Sequence, residues 1–368
     1  MKKSLLPSLV IKGKKIPVCI IQGGMGIGVS LYPLAKAVAE DGGAGIISSA
    51  ALDRLISKRS GKKVNSYDAA YEEVSLAKTE GGFAGINIMV ALIRDFEDSV
   101  RGALDAGADC IISGAGLPLN LPAIQDPKDT ALIPIVSSAR ALDIIRKKWE
   151  KLGYRPDAVV LEGPLAGGHL GFKFSDIEKE ENLLENLFPL VKDIAIKYGN
   201  FPVIVAGGIY THADILRFVA MGADGVQMGT RFLATEKSSA TSAYKQAVIN
   251  CKKEDIVIAD PETNPPGSPC GLPFRVIKQS PMFMESKFRK PFCDKGYVLR
   301  KDAEGKFTIC PARYDCEKYL NICSGLLASA GCIEDLALYT VGTNAYRVDK
   351  ILSVKELMDR LKGITPDD

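Results

Sequence analysis

Eight short apolar runs punctuate the first two-thirds of the chain, separated by longer stretches in which apolar residues recur with a helical period. The runs cover residues 17–22, 44–48, 83–90, 109–113, 132–137, 158–162, 202–206 and 225–228. Each is rich in Val, Ile or Ala without strict alternation, as expected of strands covered on both faces. The intervening segments 31–40, 67–79, 93–106, 139–152, 183–198 and 213–221 predict helices. Strands alternating with helices of this length predict βαβ units and a parallel sheet.

Three of the helix-to-strand turns share a signature. Gly42, Gly107 and Gly222 each end a helix and are followed closely by Ala44, Ala108 or Ala223 and then by a small or acidic residue. Glycine suits the residue just past a helix because it takes the left-handed conformation without strain. Eight strands with this recurrent turn fit a closed (β/α)8 TIM barrel, an α/β fold, better than the alternative of an open doubly wound sheet. The predicted barrel occupies residues 1–240. Beyond it, residues 260–310 are rich in Pro, Gly, Lys and Phe with no clear period, and helices are expected over 317–329 and 354–361. Residues 241–368 therefore read as an irregular, cysteine-rich C-terminal extension packed on the barrel.

The net charge of +3 is small and the basic residues are dispersed, so no nucleic-acid footprint is expected. Residues 1–15 have no apolar h-region of a secretory signal, and no apolar run approaches the ~20 residues that span a bilayer. These features lead to an expectation of a cytoplasmic protein with no membrane partner, in which the nine cysteines are reduced.

In such barrels the chemistry sits at the C-terminal ends of the strands, and phosphate commonly binds the loops after the last two. Those loops here carry Gly207 and Gly208, then Gly229, Thr230 and Arg231. Glycine lets backbone N–H groups approach a phosphate, Thr230 offers a hydroxyl and Arg231 a charge. Either loop alone could be only a tight turn; the pair on consecutive strands predicts phosphate binding. The first strand ends in Gly23, Gly24 and Met25, which do not match a dinucleotide fingerprint but would let a flat ring lie on the backbone. Asn87 and Gln227 are polar residues inside apolar runs and need partners. A flavin ring edge would supply them, as would a bond between strands. Strand six ends at Glu162 and leads into Gly167, Gly168 and His169, one of only two histidines in the chain. His169 is the candidate proton-transfer residue; His212, after the helix-capping Thr211, reads as structural. Ser113, Gly114, Ser137 and Ser138 end strands four and five and are expected to line the pocket.

Taken together, these segments resemble the nitronate monooxygenase family, also called 2-nitropropane dioxygenase-like flavoproteins, which includes FMN-dependent enoyl-acyl-carrier-protein reductases. The likeness runs over roughly residues 15–240 and rests on residues 21–26, 85–89, 113–118, 162–171, 202–209 and 225–232. It implies FMN phosphate at Gly207, Gly208, Gly229 and Thr230, ring contacts from Gly24, Met25, Asn87 and Gln227, and His169 facing substrate, beside Gly167 and Gly168. On a nitroalkane, His169 would take the proton from the carbon bearing the nitro group, and flavin and oxygen would complete the oxidation. On an enoyl thioester, NAD(P)H would first reduce FMN and His169 would orient or protonate substrate. A small-molecule substrate is expected in either case, and a homodimer stays open.

Six cysteines fall between Cys270 and Cys332, and Cys310, Cys316, Cys323 and Cys332 show none of the tight pairs usual at zinc or iron–sulfur sites. No metal is expected, and the late cysteines are expected to play no part in flavin binding. The competing readings are an FMN- and NAD(P)H-dependent enoyl-thioester or quinone reductase, a flavin-free lyase or isomerase that holds a sugar phosphate, and a regulatory protein on a retained barrel. Strand ends made of Gly, Ser, Asn and one His, with Glu162 the only carboxylate, favour a cofactor that brings its own reactivity.

Overall fold

A computed structural model describes residues 6–285, 300–301, 307–308 and 310–366. The chain opens with a hairpin of β1 (Leu9–Ile11) and β2 (Lys14–Ile16), turning on Lys12 and Gly13, both at positive φ. That turn geometry matches the twist of the flanking strands. Lys14 Nζ meets Asp109 Oδ1 at 2.7 Å and Lys12 Nζ donates to the Thr130 carbonyl at 2.9 Å. Both partners lie just before barrel strands, so the hairpin is fastened across the barrel's N-terminal end.

Eight parallel strands form the barrel: β3 (Ile20–Gln22), β4 (Ala44–Ser48), β5 (Phe83–Met89), β6 (Cys110–Gly114), β7 (Ala131–Val136), β8 (Val159–Glu162), β10 (Val203–Ala206) and β11 (Gly225–Met228). The last pairs with the first, Val226 opposite Ile20, which closes the sheet and rules out an open one. Every strand overlaps one of the eight apolar runs. The recurrent turn does what its sequence requires: Gly42, Gly107 and Gly222 have φ of 83°, 68° and 99°. Its acidic member then ties neighbouring strands, because Asp109 Oδ2 accepts from the Ala84 amide and Asp224 Oδ2 from the Val203 amide, each at 2.8 Å.

The expected helices are present as α1 (Tyr32–Glu40), α3 (Ser66–Ala77), α4 (Phe96–Asp105), α5 (Ala139–Glu150), α6 (Leu184–Lys197) and α7 (His212–Ala220). Two more were not anticipated: α2 (Leu52–Ser60), whose basic second half reads as loop, and α9 (Ser242–Asn250). Between α7 and α9 lies the single turn α8 (Thr230–Leu233), and α10 (Pro281–Glu285) follows later. The closing helix α12 (Val354–Leu361) spans the expected residues, starts in a Ser353/Glu356 capping box, and buries Leu357, Met358 and Leu361 in the barrel's own core.

Residues 256–285 are less irregular than the composition of the 260–310 stretch suggests. A strand β12 (Ile256–Ala259) pairs antiparallel with β13 (Phe274–Ile277), which pairs in turn with β9 (Gly168–His169), Phe274 opposite His169. Strands of two to four residues show no readable period. The helix expected from residue 317 begins later, as α11 (Ile322–Ser329), capped by Asn321. The residues before it instead turn on Asp315, which accepts from the Glu317 and Lys318 amides, and then bridge Tyr319 to Gly267.

Candidate active site

The C-terminal ends of the barrel strands open into a cavity of about 520 Å³, within the roughly 300–1,000 Å³ of small-molecule sites. Gly24, Met25, Asn87, Gly114, Ser137, Gly167, Gly168, His169, Gly207, Gly208, Gln227, Gly229 and Thr230 all line it. Ser113 does not, contrary to expectation. Its side chain is buried in the barrel wall and its hydroxyl donates to the Ile88 carbonyl at 2.8 Å. Ser138 is likewise committed, accepting from the Ala141 amide as the cap of α5. Ser137 reaches the cavity but donates to the Gly171 carbonyl at 2.8 Å.

The floor is set by close packing. Buried Gln22 bonds Ser30 Oγ at 2.8 Å and the Ile46 amide at 3.1 Å, fixing the loop after β3 against β4. At Gly24 a Cβ would lie 2.5 Å from Asn87 Cβ and 2.7 Å from the Ile47 carbonyl. Glycine is therefore required there by the protein itself, whatever lies above. Gln227 is buried, and its Oε1 has no hydrogen-bond partner among the described residues. An orphaned buried acceptor costs about 1–3 kcal/mol, so this atom asks for a donor from the cavity.

At the end of the neighbouring strand Gly207 and Gly208 turn with φ of 95° and 83°. Gly229 differs: its φ is −119° and a Cβ would meet only Met25 Sδ, at 3.4 Å. A late strap crosses this end. Thr230 Oγ1 accepts from the Gly342 amide at 3.0 Å, which leaves its own proton to donate, and Asn344 Nδ2 donates to the Gly208 carbonyl at 2.6 Å. Arg231 is turned away from a purely ionic role: it donates to the Tyr210 carbonyl at 3.0 Å and lies over the Tyr210 ring.

The rim carries the titratable groups. Burial pushes the Glu162 carboxyl up to about 7, with the His169 charge pulling against it. His169 is fixed by β9, lies tilted by 57° to the Phe274 ring with centroids 4.5 Å apart, and places Nε2 3.0 Å from Ser268 Oγ. Ser268 Oγ in turn lies 2.9 Å from Cys270 Sγ. Burial works to raise that thiol, but the His169 charge and hydrogen bonds from His169, Ser268 and the Leu272 amide outweigh it and draw it down to about 6. Buried Arg275 props the whole loop, donating to the Pro164 carbonyl at 2.8 Å and to the Ala166 carbonyl.

Ser268, Cys270, Phe274 and Arg275 were not foreseen, nor the strap at 340–344 or the wall formed by Ile322, Cys323 and Leu326. Cys270 had been read for metal spacing, and Ser268 lies 99 residues from His169, so no local pattern joins them. The late cysteines are thus not all remote: Cys323 lines the cavity and Cys270 belongs to the His169 cluster. Cys310 is buried beside Ala312 and Tyr319, Cys316 and Cys332 are half-buried, and Cys293 lies outside the described residues. Among the described residues no group of three or more His, Cys, Asp or Glu is placed to hold a metal, and no helix is long and apolar enough to cross a membrane. His212 opens α7 after the Thr211/Asp214 capping box, with Nδ1 2.8 Å from the Leu361 carbonyl, a structural place.

Fold and cavity define a (β/α)8 barrel with a pocket at the catalytic face. The chain belongs to the nitronate monooxygenase family, whose family model matches residues 8–363. It is 40% identical over 106 residues to a probable nitronate monooxygenase of Staphylococcus haemolyticus, 28% of this chain and 29% of that protein. To a probable nitronate monooxygenase of Staphylococcus saprophyticus it is 30% identical over 173 residues, 47% of each chain. The aligned stretches thus span less than half of these curated relatives. Among solved structures, FabK from Thermotoga maritima matches with a TM-score of 0.67 and 25% identity, over 93% of this chain and 91% of that one. Nitroalkane oxidase from Streptomyces ansochromogenes shares the fold, with a TM-score of 0.65 at 19% identity over 95% of each chain.

Proposed function

We propose that this chain holds FMN in the barrel cavity and is an oxidoreductase that oxidises alkyl nitronates with molecular oxygen. The observation that carries the reading is buried Gln227, whose Oε1 has no partner among the described residues and which lies on the strand ends that carry the paired glycine loops lining the cavity. The residues fit the group. The phosphate would be held by the backbone at Gly207, Gly208 and Gly229 and by the Thr230 hydroxyl. A ring N–H would satisfy Gln227, and the ring would rest on Gly24 and Met25 beside Asn87.

Bound FMN supplies the electron transfer that no side chain of the cavity can perform. The protein's share is binding, orientation and proton movement. His169, at the rim and held by β9, is the group that would take a proton from the carbon bearing a neutral nitro group. A nitronate has already lost that proton and needs only to be held. Phe274 and Leu272 cover this side of the cavity and limit water.

A second reading, reduction of enoyl thioesters with NAD(P)H, is favoured by the likeness to FabK and by the apolar wall of Ile27, Leu92 and Leu326. Oxygen uptake by FMN-loaded protein given propionate 3-nitronate, set beside NAD(P)H oxidation driven by a crotonyl thioester, separates the two. Nitronate-dependent oxygen uptake is expected. Thioester reduction without it would replace the first reading with the second.

A further inference from the structure

Ser268 stands between His169 and Cys270. Its Oγ is 3.0 Å from His169 Nε2 and 2.9 Å from Cys270 Sγ, and it also accepts from the Cys270 amide at 3.3 Å. The Ser268 side chain is fully buried, so this hydroxyl has no water to turn to. Backbone pairing holds the arrangement: His169 lies on β9 opposite Phe274 of β13, and Ser268 and Cys270 lie in the turn that leads into β13. Three titratable or charged groups surround the imidazole. Glu162 approaches from the end of β8, Cys270 from the turn, and Arg275 from β13 with its guanidinium on the Pro164 and Ala166 carbonyls.

A hydroxyl has one proton to give. Ser268 Oγ, with that one proton, joins His169 Nε2 to Cys270 Sγ, so Nε2 is committed within the protein. We infer that Ser268 and Cys270 are positioning residues that hold the Nε2 side of the His169 ring and leave Nδ1 as the nitrogen that exchanges a proton with substrate. The inference rests on His169 as the substrate-facing residue. The direction of the Cys270 shift agrees, since the same contacts outweigh burial and bring the thiol to about 6. Which ring nitrogen is open to exchange is set by the hydrogen bond the other makes, and this cluster holds Nε2. Cys270 is therefore a partner of the histidine and not a spare thiol.

The test follows alkylation of Cys270 by iodoacetamide against pH in the full-length, FMN-loaded protein, read on the Cys270 peptide by mass spectrometry. The half-exposed thiol should react with a midpoint near about 6. In Ser268→Ala and in His169→Asn the midpoint should rise by about one pH unit or more, as expected when an opposite charge or a hydrogen bond to the ionised form is lost. An unmoved midpoint in both variants overturns the inference. Cys270→Ser keeps a hydrogen-bonding oxygen but no low-pH ionisation, so its pH–turnover profile should shift while KM stays close to wild type; an unchanged profile counts against the inference too. Failure of the underlying reading looks different: His169→Asn would leave turnover intact while still moving the Cys270 midpoint.

Discussion

The loops at the ends of the barrel strands and the late segment from β12 to the 340–344 strap line one cavity, but they do so with different material. The loops present backbone: Gly24, Gly207, Gly208 and Gly229 bring peptide groups to the cavity, and at the first three a Cβ would press on neighbouring protein atoms. The late segment presents side chains, with Ser268, Cys270 and Phe274 around His169 and Arg275 beneath its loop. The difference teaches where each kind of change will act. Adding atoms to the loops should harm binding, and removing atoms from the late segment should harm chemistry and stability.

The largest effect is expected at His169. General acid–base participation is worth roughly 10²–10⁴-fold, so His169→Asn should slow turnover of neutral nitroalkanes by about that factor with an unchanged flavin spectrum. Pre-formed nitronates should lose much less. Equal loss on both would make the residue a substrate clamp. Arg275→Met comes next. It leaves the Pro164 and Ala166 carbonyls buried without their donor, each costing about 1–3 kcal/mol. Thermal unfolding should come several degrees earlier, and a melting curve identical to wild type would contradict the propping role.

Gly229→Ala should weaken FMN binding about tenfold, the equivalent of ~1.4 kcal/mol, while the flavin-free protein melts as wild type, because the protein leaves room for that Cβ. Gly207 and Gly208 could not give so clean a result, since their positive φ strains any side chain. Gln227→Leu removes one acceptor and should cost about 0.5–1.5 kcal/mol of FMN affinity. Titration of the apoprotein with FMN reads both.

The smallest effect is on pH dependence. The Glu162 carboxyl lies at about 7 in the fold against an ordinary 4.5. A carboxyl raised by folding holds its proton better in the native state, so its contribution is full below the unfolded value and is lost as pH rises through the folded one. Glu162→Gln should therefore flatten the fall in stability between about 4.5 and 7 in the flavin-free protein. Denaturant midpoints measured across that window would show it.

The barrel was legible because its signals are local. The apolar runs and the Gly-Ala-Asp turns lie within a few residues of one another, and all eight strands followed from them. His169 stood out because it is one of two histidines and sits in a glycine-rich loop after a strand. Its partners were illegible because they arrive through strands too short to show a period, from a segment whose Pro and Gly content reads as loop. Ser113 failed for a related reason: a serine at a strand end faces either the cavity or the wall, and only the observed register, with Ile88 opposite Ser113, decides.

The central claim is that the cavity lined by Gln227 and the Gly208 and Gly229 loops is a flavin site. Its most direct test is the flavin content of the purified protein, by visible absorbance and by chromatography of the cofactor released on denaturation. The expected result is a yellow protein with FMN near one equivalent per chain, or an apoprotein that takes up FMN to that level, about tenfold more weakly in Gly229→Ala. A colourless protein that takes up no FMN at any concentration tested would contradict it.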